Sequence, residues 1–151
     1  MYRDCYDISM IIRSVTNRDY ASVKHLVENM KHAVFEDEAF RTAFEYQQND
    51  PRFHAFVCEN GGTVLAFINL RIDYQIHHAA KIAEIMELVT KEDCRGQGIG
   101  RELFRHACQF AREEGCVQLE LNSSFRRTDA HRFYESVGMR KDHFNFTMPL
   151  D

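Results

Sequence analysis

Gly96, Gly98 and Gly100 fall at alternate positions between an apolar run and a run with helical spacing, and this junction constrains the chain more than any other stretch. Ile82 to Val89 is mostly apolar and Thr90 to Cys94 is polar. After the glycines, Ile99, Leu103, Phe104, Ala107, Phe110 and Ala111 recur on one helical face. The junction therefore reads as strand, short loop, glycine turn and helix. Glycines leave the backbone bare, so successive N–H groups can converge on one anion at the positive end of the helix. Arg95 and Arg101 flank the turn with full charges. This is the pattern of a diphosphate cradle, although spacing alone also allows a plain flexible turn ahead of an amphipathic helix. A Rossmann turn is excluded because the third glycine comes one residue early. A P-loop is excluded because Arg101-Glu102 follows Gly100.

A chain of 151 residues predicts one domain, 1–151, able to bury a core without staples. The net charge of −4 argues against general nucleic-acid or membrane-surface binding. No run of about 18 apolar residues suggests a membrane span, and the acid-bearing start MYRDCYDISM does not read as a signal peptide. Five cysteines without a CxxC pair fit reduced thiols in a cytoplasmic protein better than a disulfide framework or zinc site.

In chain order, 1–7 reads as a loose leader and 9–15 as a strand. Thr16-Asn17 caps a helix with Tyr20, Val23, Leu26, Val27 and Met30 on one face. A second helix spans 37–48 and ends at Asn49-Asp50-Pro51. Residues 53–59 and 63–72 form a hairpin around Gly61-Gly62, 73–78 is a polar connection, and 81–90 is the next strand. A helix over 99–114 stops at Gly115, a strand covers 117–122, and Thr128 opens a helix closed by Gly138. The alternating, Phe-rich 142–150 reads as a final strand. The class is mixed α/β.

Arg95-Gly96-Gln97-Gly98-Ile99-Gly100 resembles the acetyl-CoA diphosphate loop of the GNAT N-acetyltransferases, Arg/Gln-x-x-Gly-x-Gly/Ala. Ala130-x-x-Phe133-Tyr134-x-x-x-Gly138-Met139 is similar to that family's second signature, with Met139 where an aromatic is usual. The resemblance implies the GNAT fold, a mostly antiparallel sheet splayed at the cofactor strand and flanked by helices, and acetyl-CoA as cosubstrate. It implies that Arg95 to Arg101 hold the diphosphate and that Leu88 and Val89 offer backbone N–H groups to the thioester. It also makes Phe133 a cofactor contact and puts Tyr134 near the sulfur, where a phenol of pKa ~10 can protonate a thiolate. Asn122, ending the strand after the cofactor helix, either contacts the pantetheine arm or is a simple strand-end turn residue.

Acetyl transfer needs a neutral amine, so a base must take a proton from an ammonium of pKa ~10. Glu84 and Glu87 stand inside the apolar strand, where a carboxylate is costly unless it faces water, a partner or a cleft. Three positions apart, they face opposite sides of a regular strand, and a bulge between them would turn both to one side. Glu84 is the first choice as base because it lies deeper. The alternative is that one of them pairs with a basic residue.

Phe40-Arg41, Ile76-His77-His78, the 84–89 strand, Asp129 to Tyr134 and His143 to Thr147 together look like the aminoalkylphosphonate N-acetyltransferases. That resemblance implies a small-molecule aminophosphonate acceptor, with Arg41, His77, His78, Arg127 and His143 suited to its dianion, and a divalent metal ion in some members. Read from spacing, His77 and His78 are equally a solvated pair, and His143 a hydrogen-bonded core residue. Other acceptors (a polyamine, an aminoglycoside, a protein N-terminus) and a non-catalytic acetyl-CoA-binding module are the competing functions. A homodimer is a family habit that no stretch of this chain demonstrates.

Overall fold

The computed structural model describes residues 10–150. The leader at 1–7 and Ser9, the start of the expected first strand, lie outside the described residues. The chain divides into two compact units, Met1–Glu120 and Leu121–Asp151. The first unit holds β1 (Met10–Ser14), α1 (Tyr20–Lys31), α2 (Asp37–Gln48), β2 (Phe53–Asn60), β3 (Thr63–Gln75), β4 (Ala80–Thr90), α3 (Ile99–Glu113) and most of β5 (Gln118–Leu121). The second holds α4 (Thr128–Ser136).

The sheet order is β1-β2-β3-β4-β5, with one parallel pair among otherwise antiparallel neighbours. β1, β2, β3 and β4 pair antiparallel in turn, so β5, reached through the crossover helix α3, supplies the parallel pair. Alternation assigns the two faces of β3. Phe67 packs with Val23, Leu26 and Val27 of α1, and Phe40 and Phe44 of α2 close that side. Ile72 packs with Ala83 and Ala111 of α3 on the other. Asn69, Arg71 and Asp73 therefore stand on the α1/α2 face, in step with Phe67.

Most expected elements are present, with differences at the ends. The helix opened by Thr16 begins as a 3-10 turn, Asn17–Asp19, closed by a capping box, before α1 starts. β3 continues through Asp73, Tyr74 and Gln75, which were expected as a connection, because the ladder to Lys81 and Ala80 still forms at this polar tip. The expected last strand is absent. Residues 139–150 carry no helix or strand, and Phe144, Phe146, Met148 and Leu150 are 81–91% exposed. Alternation says which side of a strand would be apolar, but a strand exists only where its N–H and C=O groups find a ladder partner. These residues show none among the described residues.

Among the described residues Cys58, Cys108 and Cys116 are free. Burial pushes the Cys58 thiol up to about 11 and raises the other two. Cys94 corrects the expectation of reduced thiols throughout, since it is disulfide-bonded. No described helix is long and apolar enough to cross a membrane.

Candidate active site

The cofactor-loop residues are contiguous, and local geometry organises them. β4 is tied down at its end where Lys91 N–H donates to Leu65 C=O at 2.7 Å, and a 3-10 turn at Glu92–Cys94 leads to Arg95. The Arg95 Nε donates to Thr90 C=O at 3.3 Å. Gly96 and Gly98 take φ +78° and +83°, conformations that glycine reaches without a Cβ penalty. A Cβ built at either would meet nothing within 4 Å, so the space above the turn is open. Gly98 is also the N-cap of α3 and closes the first turn with no side-chain hydrogen bond. Ile99, Leu103 and Ala107, each at most 1% exposed, anchor the helix in the core. The exposed Arg95 and Arg101 and half-buried Gln97 and Gly100 complete a turn of bare amides and positive charge. It fits the diphosphate of a coenzyme.

Leu88 and Val89 pair with Ile68 and Phe67 of β3. On the opposite side of β4, Val117 N–H donates to Lys81 C=O at 3.0 Å, and β5 runs for only four residues against the eleven of β4. The far half of that edge thus extends beyond the reach of β5, as a splayed sheet requires.

The two glutamates are placed by a bulge. Asn69 pairs with Glu87 while Leu70 pairs with Ile85, so Met86 is the extra residue, and Arg71 then pairs with Glu84. Asn69 and Arg71 share a face, and so do Glu87 and Glu84. The two carboxylates have different partners. Glu84 accepts from Arg71 Nη2 at 2.8 Å, and Arg71 Nε lies 3.4 Å from Asp73. Glu87 accepts from Asn69 Nδ2 at 2.9 Å, and the same nitrogen donates to Gln47 Oε1 at 2.7 Å. Burial raises the Glu87 carboxyl above its ordinary value, and the Asn69 hydrogen bond opposes that rise. Sequence reasoning missed Asn69, Gln47 and Arg71. One signal was available, since Asn69 is an amide within the buried run Val64 to Leu70.

Within the first unit, three of the residues expected to meet a phosphonate, Arg41, His77 and His78, stand away from Glu87. Arg41 lies with its guanidinium carbon 4.0 Å from the Tyr20 ring centroid and its Nη2 3.5 Å from Asp37. It is six residues before Gln47, about 9 Å along α2 and on another side of it. His77 and His78 are exposed on the 3-10 turn at the β3–β4 tip, with their rings 4.4 Å apart. They are roughly 20 Å along the hairpin from Asn69, at ~3.3 Å per residue. Among the described residues, no three His, Cys, Asp or Glu side chains come together to hold a metal ion. The described residues give no support to the divalent ion that the resemblance implies for some members.

In the second unit, Phe133 and Tyr134 sit on α4 with their rings edge to face at 5.7 Å. Burial raises the Tyr134 phenol and the Arg127 charge opposes it. Arg127 is the N-cap of α4. Asn122 is exposed just past β5. His143 is exposed with Nδ1 2.6 Å from Asp142 Oδ1, so it is not a core residue.

Comparison with known proteins identifies the family and the fold. The Acetyltransferase (GNAT) family pattern matches residues 20–139. The aminoalkylphosphonate N-acetyltransferase of Salmonella typhimurium is 37% identical over 139 residues, covering 92% of this chain and 90% of that one. A solved structure described as a transcriptional regulator from Bacillus halodurans superposes with a TM-score of 0.85 at 27% identity, covering 93% of this chain and 99% of that one. AAC(6')-Iy, solved with the bisubstrate analogue CoA-S-monomethyl-acetylneamine, superposes with a TM-score of 0.82 at 15% identity over 94% of this chain and 99% of that one, which speaks to fold alone. This chain belongs to the GNAT acetyltransferase family, and its activity is acetyl-CoA-dependent N-acetyl transfer.

Proposed function

We propose that the chain, working as one catalytic domain, acetylates the primary amine of an aminoalkylphosphonate by direct transfer in a ternary complex. The observation that carries the chemistry is Glu87, a half-buried carboxylate on the α2 face of the sheet, raised by burial and held by an amide. Glu84 is engaged by Arg71 Nη2 at 2.8 Å, whereas Glu87 is paired with a neutral amide, which favours Glu87 for the role over Glu84. The phosphonate acceptor is supported by the 37% identity to a relative of that activity across nearly the whole of both chains. The three free thiols support a cytoplasmic setting, and the disulfide at Cys94 counts against it.

Glu87 takes one proton from the substrate ammonium and passes it to water. The neutral nitrogen attacks the thioester carbonyl, the N–C bond forms and the C–S bond breaks. Backbone N–H groups near Leu88 and Val89 stabilise the charge that develops on the carbonyl oxygen. Tyr134 gives its phenolic proton to the departing thiolate and takes back the proton that the acetylated nitrogen sheds. The sum is ammonium plus thioester to amide, thiol and one proton. The free thiols raised by burial are poor acyl carriers, which disfavours a covalent acetyl-enzyme. Replacing Tyr134→Phe lowers kcat about a hundredfold and leaves the KM for acetyl-CoA near the parent value, as steady-state kinetics would show.

One observation favours a second acceptor. The face around Glu87 also carries Glu84 and Asp73, with Arg71 shared between them, which suits a cationic amine such as a polyamine or aminoglycoside. Thiol release from acetyl-CoA across a panel of amines decides between them. The first reading predicts the highest kcat/KM with aminomethylphosphonate or 2-aminoethylphosphonate, with and without EDTA. Turnover confined to polyamines, aminoglycosides or peptide N-termini rejects the phosphonate and keeps the chemistry.

A further inference from the structure

We propose that Asn69 and Gln47 are positioning residues for Glu87: a relay of amide hydrogen bonds from the last turn of α2, through the buried floor of β3, to the carboxylate on the β4 bulge. The inference rests on Glu87 being the base.

Asn69 is 3% exposed, and Asp19 is the only other buried polar or charged side chain among the described residues. An amide in an apolar strand is costly unless it is hydrogen-bonded. Both hydrogens of Nδ2 are spent on oxygens, one on Gln47 Oε1 at 2.7 Å and one on Glu87 Oε2 at 2.9 Å. This fixes the amide's orientation, because the flipped form would set Oδ1 against two acceptor oxygens. A donor facing the carboxylate also favours its charged form. Enclosure makes Glu87 more basic, and Asn69 keeps it ionised enough to accept a proton.

Gln47 is the outer support. It follows Phe40 and Phe44 on one stripe of α2, and those rings pack on the α1 cluster, so the helix holds the Gln47 carbonyl in place. Met86 completes the arrangement. Without that extra residue Glu87 would face the α3 side of the sheet and could not meet Asn69. Three elements distant in sequence are thus joined through Asn69 Nδ2, which reaches α2 at Gln47 Oε1 and β4 at Glu87 Oε2.

The test is the pH dependence of kcat/KM for the amine in Asn69→Leu and Gln47→Met, each also made on a Glu87→Gln background, with thermal melting as the check on folding. The expected result for Asn69→Leu is an acidic limb displaced upward by about one pH unit and a plateau kcat about tenfold lower, with an unchanged KM for acetyl-CoA. Gln47→Met moves the limb the same way by less. On the Glu87→Gln background neither change lowers kcat further. If Asn69→Leu does not fold, Gln47→Met decides, since Gln47 is only half-buried. Limbs that stay at the parent pH, or losses of equal size with and without Glu87, overturn the relay and leave Glu87 as base. A Glu87→Gln enzyme with the parent rate removes the base assignment itself and the relay with it.

Discussion

With Gly98→Asp, the KM for acetyl-CoA rises on the order of a thousandfold while the protein stays folded. Gly98 has φ +83° and open space where its Cβ would stand. Asp and Asn tolerate that conformation better than other side chains. Little strain is added, and what changes is the charge at the mouth of α3. A carboxylate about 4 Å from a phosphate costs about 4 kcal/mol at an effective dielectric near 20, which corresponds to that factor. Gly98→Asn is the control. It brings nearly the same volume without the charge, so its KM rises far less. Steady-state kinetics with melting curves check both variants. A KM that Gly98→Asp leaves unchanged would mean that the diphosphate binds elsewhere.

The second large effect is at Glu87. Glu87→Gln lowers kcat at neutral pH by about 10²- to 10³-fold, the usual range for loss of a general base, and leaves acetyl-CoA binding intact. The sign of the pH dependence follows from the chemistry. The active form is the carboxylate, and burial raises its pKa, so parent activity falls as pH drops through a point above the ordinary carboxylate range. The variant has no such limb. Its deficit shrinks as pH approaches the amine's own pKa of ~10, where the substrate supplies its own neutral form. A pH–rate series on the two proteins reads both features.

The fold was legible where the information is local. The turn at Arg95 to Gly100 could be read from glycine spacing because its conformation depends on neighbours a few positions away. The spacing of Glu84 and Glu87 said only that a bulge would be needed to bring both to one face, and the ladder supplies it at Met86. Asn69, Gln47 and Arg71 escaped because their roles arise only when β3, α2 and β4 are side by side. Asn69 reads as one polar residue in an apolar strand, and nothing in its vicinity along the chain names Glu87 as its partner. Arg41 shows how little a resemblance says about surroundings: on α2 the side leading to Gln47 belongs to Phe40 and Phe44, and Arg41 lies over Tyr20. His77 and His78 stay in the connection where the sequence puts them, and the longer β3 shortens that connection to an exposed 3-10 turn. Phe144 to Leu150 shows that alternation does not specify a pairing partner.

Acetyl transfer at this site requires that the bare amides ahead of α3 receive coenzyme A. Amide NMR of nitrogen-labelled protein titrated with coenzyme A measures this residue by residue. The largest shifts are expected on Gly96, Gln97, Gly98, Ile99 and Gly100, saturating together. Shifts concentrated elsewhere, with those five amides unmoved at saturation, would contradict it.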